Sequence, residues 1–227
     1  MTYLELCQKM IRDLGLSNSI TTVAGQSGMN KKIVDWIADA DEQIQALWAD
    51  WKFLWKQHSD PTVATQREYT KPSDIGTWDL ESFYLDYTTT DYLKLNYIDY
   101  PIWRKTNRQS TQTNDQPTAF CLIPSGNIYL HPIPDGVYAL TADYWAAPTR
   151  LSDNTDTSPI PDRFERVIIA QAKIFYAEHD EFPAVYELAS QEYARLLKQL
   201  QAAELPGKRQ ALTKSENPDI DLRIVVE

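Results

Sequence analysis

The chain has 227 residues, 43% of them hydrophobic and only 7 glycine, so it can bury a core without a metal or disulfide staple and is not a low-complexity sequence. A formal net charge of -10 and a sequence pI of about 4.8 oppose a broad phosphate-neutralising surface, so DNA is expected to slide past without specific binding. Cys7 and Cys121 have no paired spacing, and no uninterrupted apolar run approaches the roughly 18 residues of a membrane span, so a disulfide framework, a zinc knuckle, a signal peptide and a membrane helix are not expected.

In chain order, Thr2 and Glu5 have the spacing of a capping box. Tyr3, Leu6, Cys7, Met10, Ile11 and Leu14 follow at helical intervals up to Gly15, which predicts a first helix. A polar loop over residues 15–28 leads to a second helical stripe of Ile33, Trp36, Ile37, Ala40, Ile44, Leu47, Trp48 and Trp51. After Trp55 the helical period gives way to short β-rich runs separated by turn signals. The best marked of these is a three-strand meander: Thr118 to Ile123, a turn at Pro124-Ser125-Gly126-Asn127, Ile128 to His131, a turn at Pro134-Asp135-Gly136, and Val137 to Trp145.

Residues 148–161 read as a linker. Pro161 then opens a helix with the stripe Phe164, Val167, Ile168, Ala172, Phe175 and Tyr176. Pro183 opens another, with Val185, Leu188, Ala189, Tyr193, Leu196, Leu200 and Ala203, so the two form an antiparallel hairpin that ends before Pro206-Gly207. The expected fold is α+β. A four-helix bundle-like core is built from residues 1–55 and 151–205, an antiparallel β domain is inserted at 56–150, and 206–227 form an extended C-terminal tail.

In that tail Ile220, Leu222, Ile224 and Val226 alternate with Asp221, Arg223 and Val225 in a strand-like period of two. Ordering seven residues costs about 1–2 kcal/mol each, and burying four aliphatic side chains returns roughly 1.5–3 kcal/mol apiece, so backbone pairing with an edge on another chain would decide the balance. The 13 Tyr and 7 Trp also suggest surfaces covered by other polypeptides.

Catalytic patterns are weak. His58, His131 and His179 lie far apart without metal-ligand spacing, and Gly25-Gln26-Ser27-Gly28 lacks the strand and partner histidine of a nucleophile elbow. Asp39, Asp41 and Glu42 are expected on the wet side of the second helix. Together with Glu178, Asp180 and Glu181 they are the carboxylates that a sugar-cleaving reaction would use. The segment from Trp48 to Trp55 lacks the cationic frame of a base-stacking platform and reads as core or interface packing. No catalytic, cofactor-binding or metal-ligating residue is expected.

Tyr3-Leu4-Glu5-Leu6, Thr22-Val23-Ala24-Gly25-Gln26-Ser27-Gly28, Ile33-Val34-Asp35-Trp36-Ile37 and Asp50-Trp51-Lys52-Phe53-Leu54 resemble the amino-terminal third of phage head-tail adaptor proteins. The run from Asn127 to Gly136, followed by Tyr144 and Pro148, is similar to the sheet region of that group, and the hairpin after Pro161 extends the likeness over most of residues 1 to 205. The resemblance implies a non-enzymatic virion protein at the head-tail junction, made in the host cytoplasm. Such a protein forms a dodecameric ring of its own copies beneath the portal protein and extends the channel for genomic DNA. It implies further partners in a tail, nozzle or head-completion protein, and a tail that embraces the portal or a neighbouring subunit. Lys208, Arg209, Lys214, Ile220, Leu222, Ile224 and Val226 are the candidate contacts. The alternatives are a tail-nozzle or baseplate component and, in a different class, a virion-associated peptidoglycan hydrolase.

Overall fold

A computed structural model describes residues 1–88, 91–107 and 113–205. The fold is mixed α+β and divides into two compact units: Met1–Phe53 with the chain from Pro148 onward, and Leu54–Ala147.

The helical unit contains α1 (Tyr3–Leu14) and α2 (Gly28–Ala46), and later α4 (Arg166–His179) and α5 (Pro183–Glu204). Both halves of the predicted capping box form at α1, where Glu5 N donates to Thr2 Oγ1 at 3.3 Å and Thr2 N donates to Glu5 Oε2 at 2.8 Å. Gly15 at φ 66° closes the helix in the left-handed conformation that glycine tolerates best. Packing runs α1 on α2 and α4, α2 on α4, and α4 on α5. α4 is the most enclosed, with Val167, Ile168, Ile169, Ala170, Ala172, Tyr176 and Ala177 buried, more than one stripe would cover.

Two expectations for α2 need correction. The helix ends at Ala46, so Trp48 and Trp51 lie beyond it. Trp51 nevertheless is completely buried, and its Nε1–H donates at 3.1 Å to Ile44 O, a last-turn carbonyl that also accepts from Leu47 N at 3.3 Å. Asp41, expected to be wet, is also fully buried. It lies four residues after Ile37 and three before Ile44, on the apolar stripe itself.

The predicted linker is an ordered strap. Gln45 of α2 binds Thr149 through both backbone groups (Thr149 N to Gln45 Oε1 at 2.9 Å, Gln45 Nε2 to Thr149 O at 3.0 Å). Arg150 reaches Asp39 at 2.5 Å and Glu42 at 3.0 Å. Asp156 O receives Tyr3 N at 2.7 Å, and Asn154 Oδ1 receives Val23 N at 2.7 Å. Polar residues here do not mark a loose chain, because each finds a fixed partner.

The second unit contains β1 (Trp55–Pro61), β2 (Glu68–Tyr69), β3 (Ile75–Trp78), β4 (Tyr84–Asp86), β5 (Tyr92–Lys94), β6 (Asn96–Tyr97), α3 (Tyr100–Asn107), β7 (Ala119–Leu122), β8 (Ile128–His131) and β9 (Ala139–Ala146). One sheet is ordered β1-β9-β4-β5, with β3 also on β9, and the other β2-β8-β7-β6. The expected meander is therefore cut. β7 and β8 form the predicted hairpin, closed by Gly126 at φ 86°, but β9 leaves for the other sheet and pairs with β1, β3 and β4. The β domain also contains a fifth helix, α3, between β6 and β7, which run parallel (Asn96↔Ala119) while the other pairs of strands run antiparallel. Pro101 in the first turn and Arg104 and Lys105 in the last suit a helix, and Trp103 is buried beneath it. Residues of both sheets share one core, in which Phe83 and Phe120 stack at 3.7 Å between ring centroids.

Candidate interaction surface

Lys208, Arg209, Lys214, Ile220, Leu222, Ile224 and Val226 all lie outside the described residues.

Four of the six candidate carboxylates have structural partners, while Glu178 and Glu181 are exposed. Asp39 and Glu42 share Arg150, and Asp180 accepts from His179 Nδ1 at 2.5 Å, with Lys32 on the other ring nitrogen of that histidine. Asp41 accepts from Ser158 Oγ at 2.5 Å and from Gln45 Nε2 at 2.8 Å, so α2 grips the strap at both ends. Burial pushes its carboxyl up to about 6. The two hydrogen bonds oppose that rise, and the negative charges of Glu165 and Glu42 add to it.

Since the folded Asp41 holds its proton more tightly than the unfolded one, its ionisation destabilises the fold as pH rises through that value. One pKa unit is worth about 1.4 kcal/mol, so Asp41→Asn, which is neutral at every pH, should gain about 1–3 kcal/mol over the parent at pH 7.5 and lose that advantage near pH 4. Denaturant melts at the two pH values check this; an advantage independent of pH would contradict it.

His58 lies against Trp78 at 5.5 Å between centroids and 3.2 Å from Asp60, and burial beside Arg67 lowers the affinity of His131 for its proton. Gly25 (φ 68°) and Gly28 (φ 57°) bend the loop into α2, with Ser27 as its N-cap residue, as expected for a helix entry. Among the described residues no group of three or more His, Cys, Asp or Glu could hold a metal, and no helix is long and apolar enough to cross a membrane.

Much of the aromatic surplus is spent internally: Trp51, Trp78, Trp103, Tyr3, Tyr69, Tyr144 and Tyr176 are all buried. What remains outside forms separate patches. At the tip of the α4–α5 hairpin Phe182 leans on Tyr176, with Tyr186 also exposed, and Leu188, expected in the buried stripe of α5, is 70% exposed. Leu188 borders a shallow groove with Leu14, Val185 and Ala189, flanked by the Lys173–Asp13 pair at 3.0 Å. On the β unit Tyr92, Tyr97 and Ile102 are exposed.

The most directional feature is β1, which among the described residues is an edge strand of seven residues. Its ladder with β9 runs from Trp55↔Trp145 to Pro61↔Ala139 and continues one step, where Thr62 N donates to Tyr138 O at 2.7 Å. Hydrogen-bonded partners alternate along an antiparallel ladder, so the even residues Lys56, His58 and Asp60 bond β9, while Trp55, Gln57 and Ser59 turn their N–H and C=O groups away from it. Pro61, which has no N–H, occupies the outward side, the position a sheet tolerates for proline. The side chains divide likewise. Lys56, with Asp74 at 2.6 Å, and His58 share the face of β9 that carries Ala142 and Tyr144, whereas Trp55, 49% exposed, stands opposite Trp145 on the other face.

A family model described as SU10 adaptor protein matches residues 1–214 of the chain. No curated protein matches it.

Proposed function

This chain belongs to the SU10 adaptor protein family, a family of phage structural adaptors carried in the virion, and from that premise we propose that it builds a ring between portal and tail that extends the DNA channel. The observation that supports the reading is the extent of the match, residues 1–214, which takes in the described residues of both compact units. The role in this reading is structural rather than enzymatic; of the candidate carboxylates, Asp39 and Glu42 are paired with Arg150 and Asp41 is buried against Ser158.

In this reading α1, α2, α4 and α5 act as a bundle-like platform, residues 56–150 as an inserted interaction domain, and 206–227 as the docking tail. A ring follows from one heterologous contact repeated until it closes, twelve-fold where the portal above it is twelve-fold. Acidic side chains facing the lumen would repel phosphates and let DNA pass. The tail, with Lys208, Arg209, Lys214 and the 220–226 strand, would fasten the ring to the portal or to a neighbour.

Mixing the full chain with purified portal tests this: a stable complex is expected. Binding to nozzle or baseplate proteins with none to portal would replace the adaptor reading with that of a distal tail component.

A further inference from the structure

We propose that α3 of one copy lies in the groove at the α4–α5 tip of a neighbouring copy, so that the ring closes on a basic, aliphatic helix held against an acid-rimmed apolar surface. The inference rests on the ring reading above and names the two faces of its repeated contact.

The receiving face belongs wholly to the helical unit. Leu14, Val185, Leu188 and Ala189 line its floor, and Phe182 and Tyr186 stand exposed at the turn beside it. α5 buries only Ala189, Leu196, Leu200 and Glu204 along its 22 residues, so it keeps an uncovered apolar side around Leu188.

The charge on this face has one sign. Between Lys173 and Arg195 the sequence has five acids and no lysine or arginine. Glu192 pairs with Arg166 and Asp180 with His179, while Glu178, Glu181 and Glu187 are exposed and make no ion pair among the described residues. Glu178 and Glu181 also sit at the carbonyl end of α4, where the helix dipole is already negative, so a cation brought there gains from both.

The entering face belongs to the β unit. α3 is held down through the buried Trp103, and at about 3.6 residues per turn Lys105 then points away from that anchor, with Ile102 and Arg104 on the two flanks. Ile102 is 57% exposed, and Arg104 and Lys105 are exposed and unpaired among the described residues. The helix contains no acid, although the chain has a net charge of -10.

Shape and sign together select the occupant. A short convex helix with one aliphatic anchor suits a shallow apolar groove, the way amphipathic helices are bound, and Arg104 and Lys105 then face Glu181 and Glu187 on the rim. A second acidic tip would be repelled, which disfavours a two-fold pairing of tip with tip. A contact between two different faces of one chain instead repeats from copy to copy, as a ring requires. Each face offers few side chains, fewer than a stable free pair needs, so the contact closes once the tails have gathered copies on the portal.

The test is a charge swap in the full chain, imaged on purified portal. Glu181→Lys with Glu187→Lys, or Arg104→Glu with Lys105→Glu, should leave the melt unchanged and still reach the portal but lose the closed tier, and the chain carrying all four substitutions should regain it. A tier that ignores either reversal, or that the four substitutions together fail to restore, would overturn the contact; loss on the tip reversal alone would give the tip to a different partner. Carbodiimide coupling in a mixture of isotope-labelled and unlabelled parent chains on portal identifies the copy: a Glu187–Lys105 link is expected between labelled and unlabelled chains, and a link confined to one chain, or none, would overturn the second-copy assignment. A parent chain that forms no tier would sink the ring reading and this contact with it, whereas a tier indifferent to the swaps would sink this contact alone.

Discussion

Trp51→Ala should lower the stability of the protein by about 3–5 kcal/mol, a fall of roughly 10 °C in melting temperature for a chain of this size. The side chain is completely buried, edge-on to Trp48 at 5.3 Å and stacked on Phe53 at 5.1 Å, and its indole N–H closes the end of α2 through Ile44 O. Truncation therefore removes a large apolar volume and leaves a buried carbonyl without its indole donor. The comparison is Trp55→Ala, four residues on, where the ring is half exposed. That variant should shift the melt by no more than about 1 kcal/mol, because most of its area is wet already. Circular dichroism melts of the pair decide it, and equal losses would show that Trp51 is not the core residue its position implies.

Deleting residues 206–227 should leave the fold intact and abolish attachment to portal and to neighbouring copies. The helical unit closes before the cut: Leu200 and Glu204 are buried, Arg163 pairs with Glu204 at 3.0 Å, and Lys52 binds Ala203 O. The melt should therefore move by less than about 1 kcal/mol, the scale of a surface change. The deletion removes four cations (Lys208, Arg209, Lys214, Arg223) and four anions (Glu216, Asp219, Asp221, Glu227), so the net charge stays at -10. Loss of binding could then not be ascribed to a changed long-range field. Co-sedimentation with portal measures the outcome, and binding within twofold of the full chain would remove the tail from the account.

Local signals made much of the helical unit legible. Thr2, Glu5 and Gly15 specify α1 from end to end, and Pro183 opens α5 at its first position. What escaped depended on distant partners. Asp41 looks like surface acid by residue type, and only its place between Ile37 and Ile44 betrays burial; the Ser158 hydroxyl that makes this tolerable comes from 117 residues away. α3 is hidden because Tyr100, Ile102 and Trp103 are strand formers by propensity, overridden by Pro101 and by the burial of Trp103. β9 was legible as a strand from its alternation, but its partners β1, β3 and β4 lie far back in the chain, and no turn signal encodes a change of sheet. The free edge of β1 was equally invisible, since an edge is defined by what fails to pair with it.

In the proposed assembly identical copies close into a ring on the portal. Imaging the complex of full-length chain and purified portal tests it most directly. One additional tier is expected beneath the portal, made of a closed ring of this chain around an open channel; isolated copies scattered on the portal, or density only at the far end of the tail, would contradict the ring.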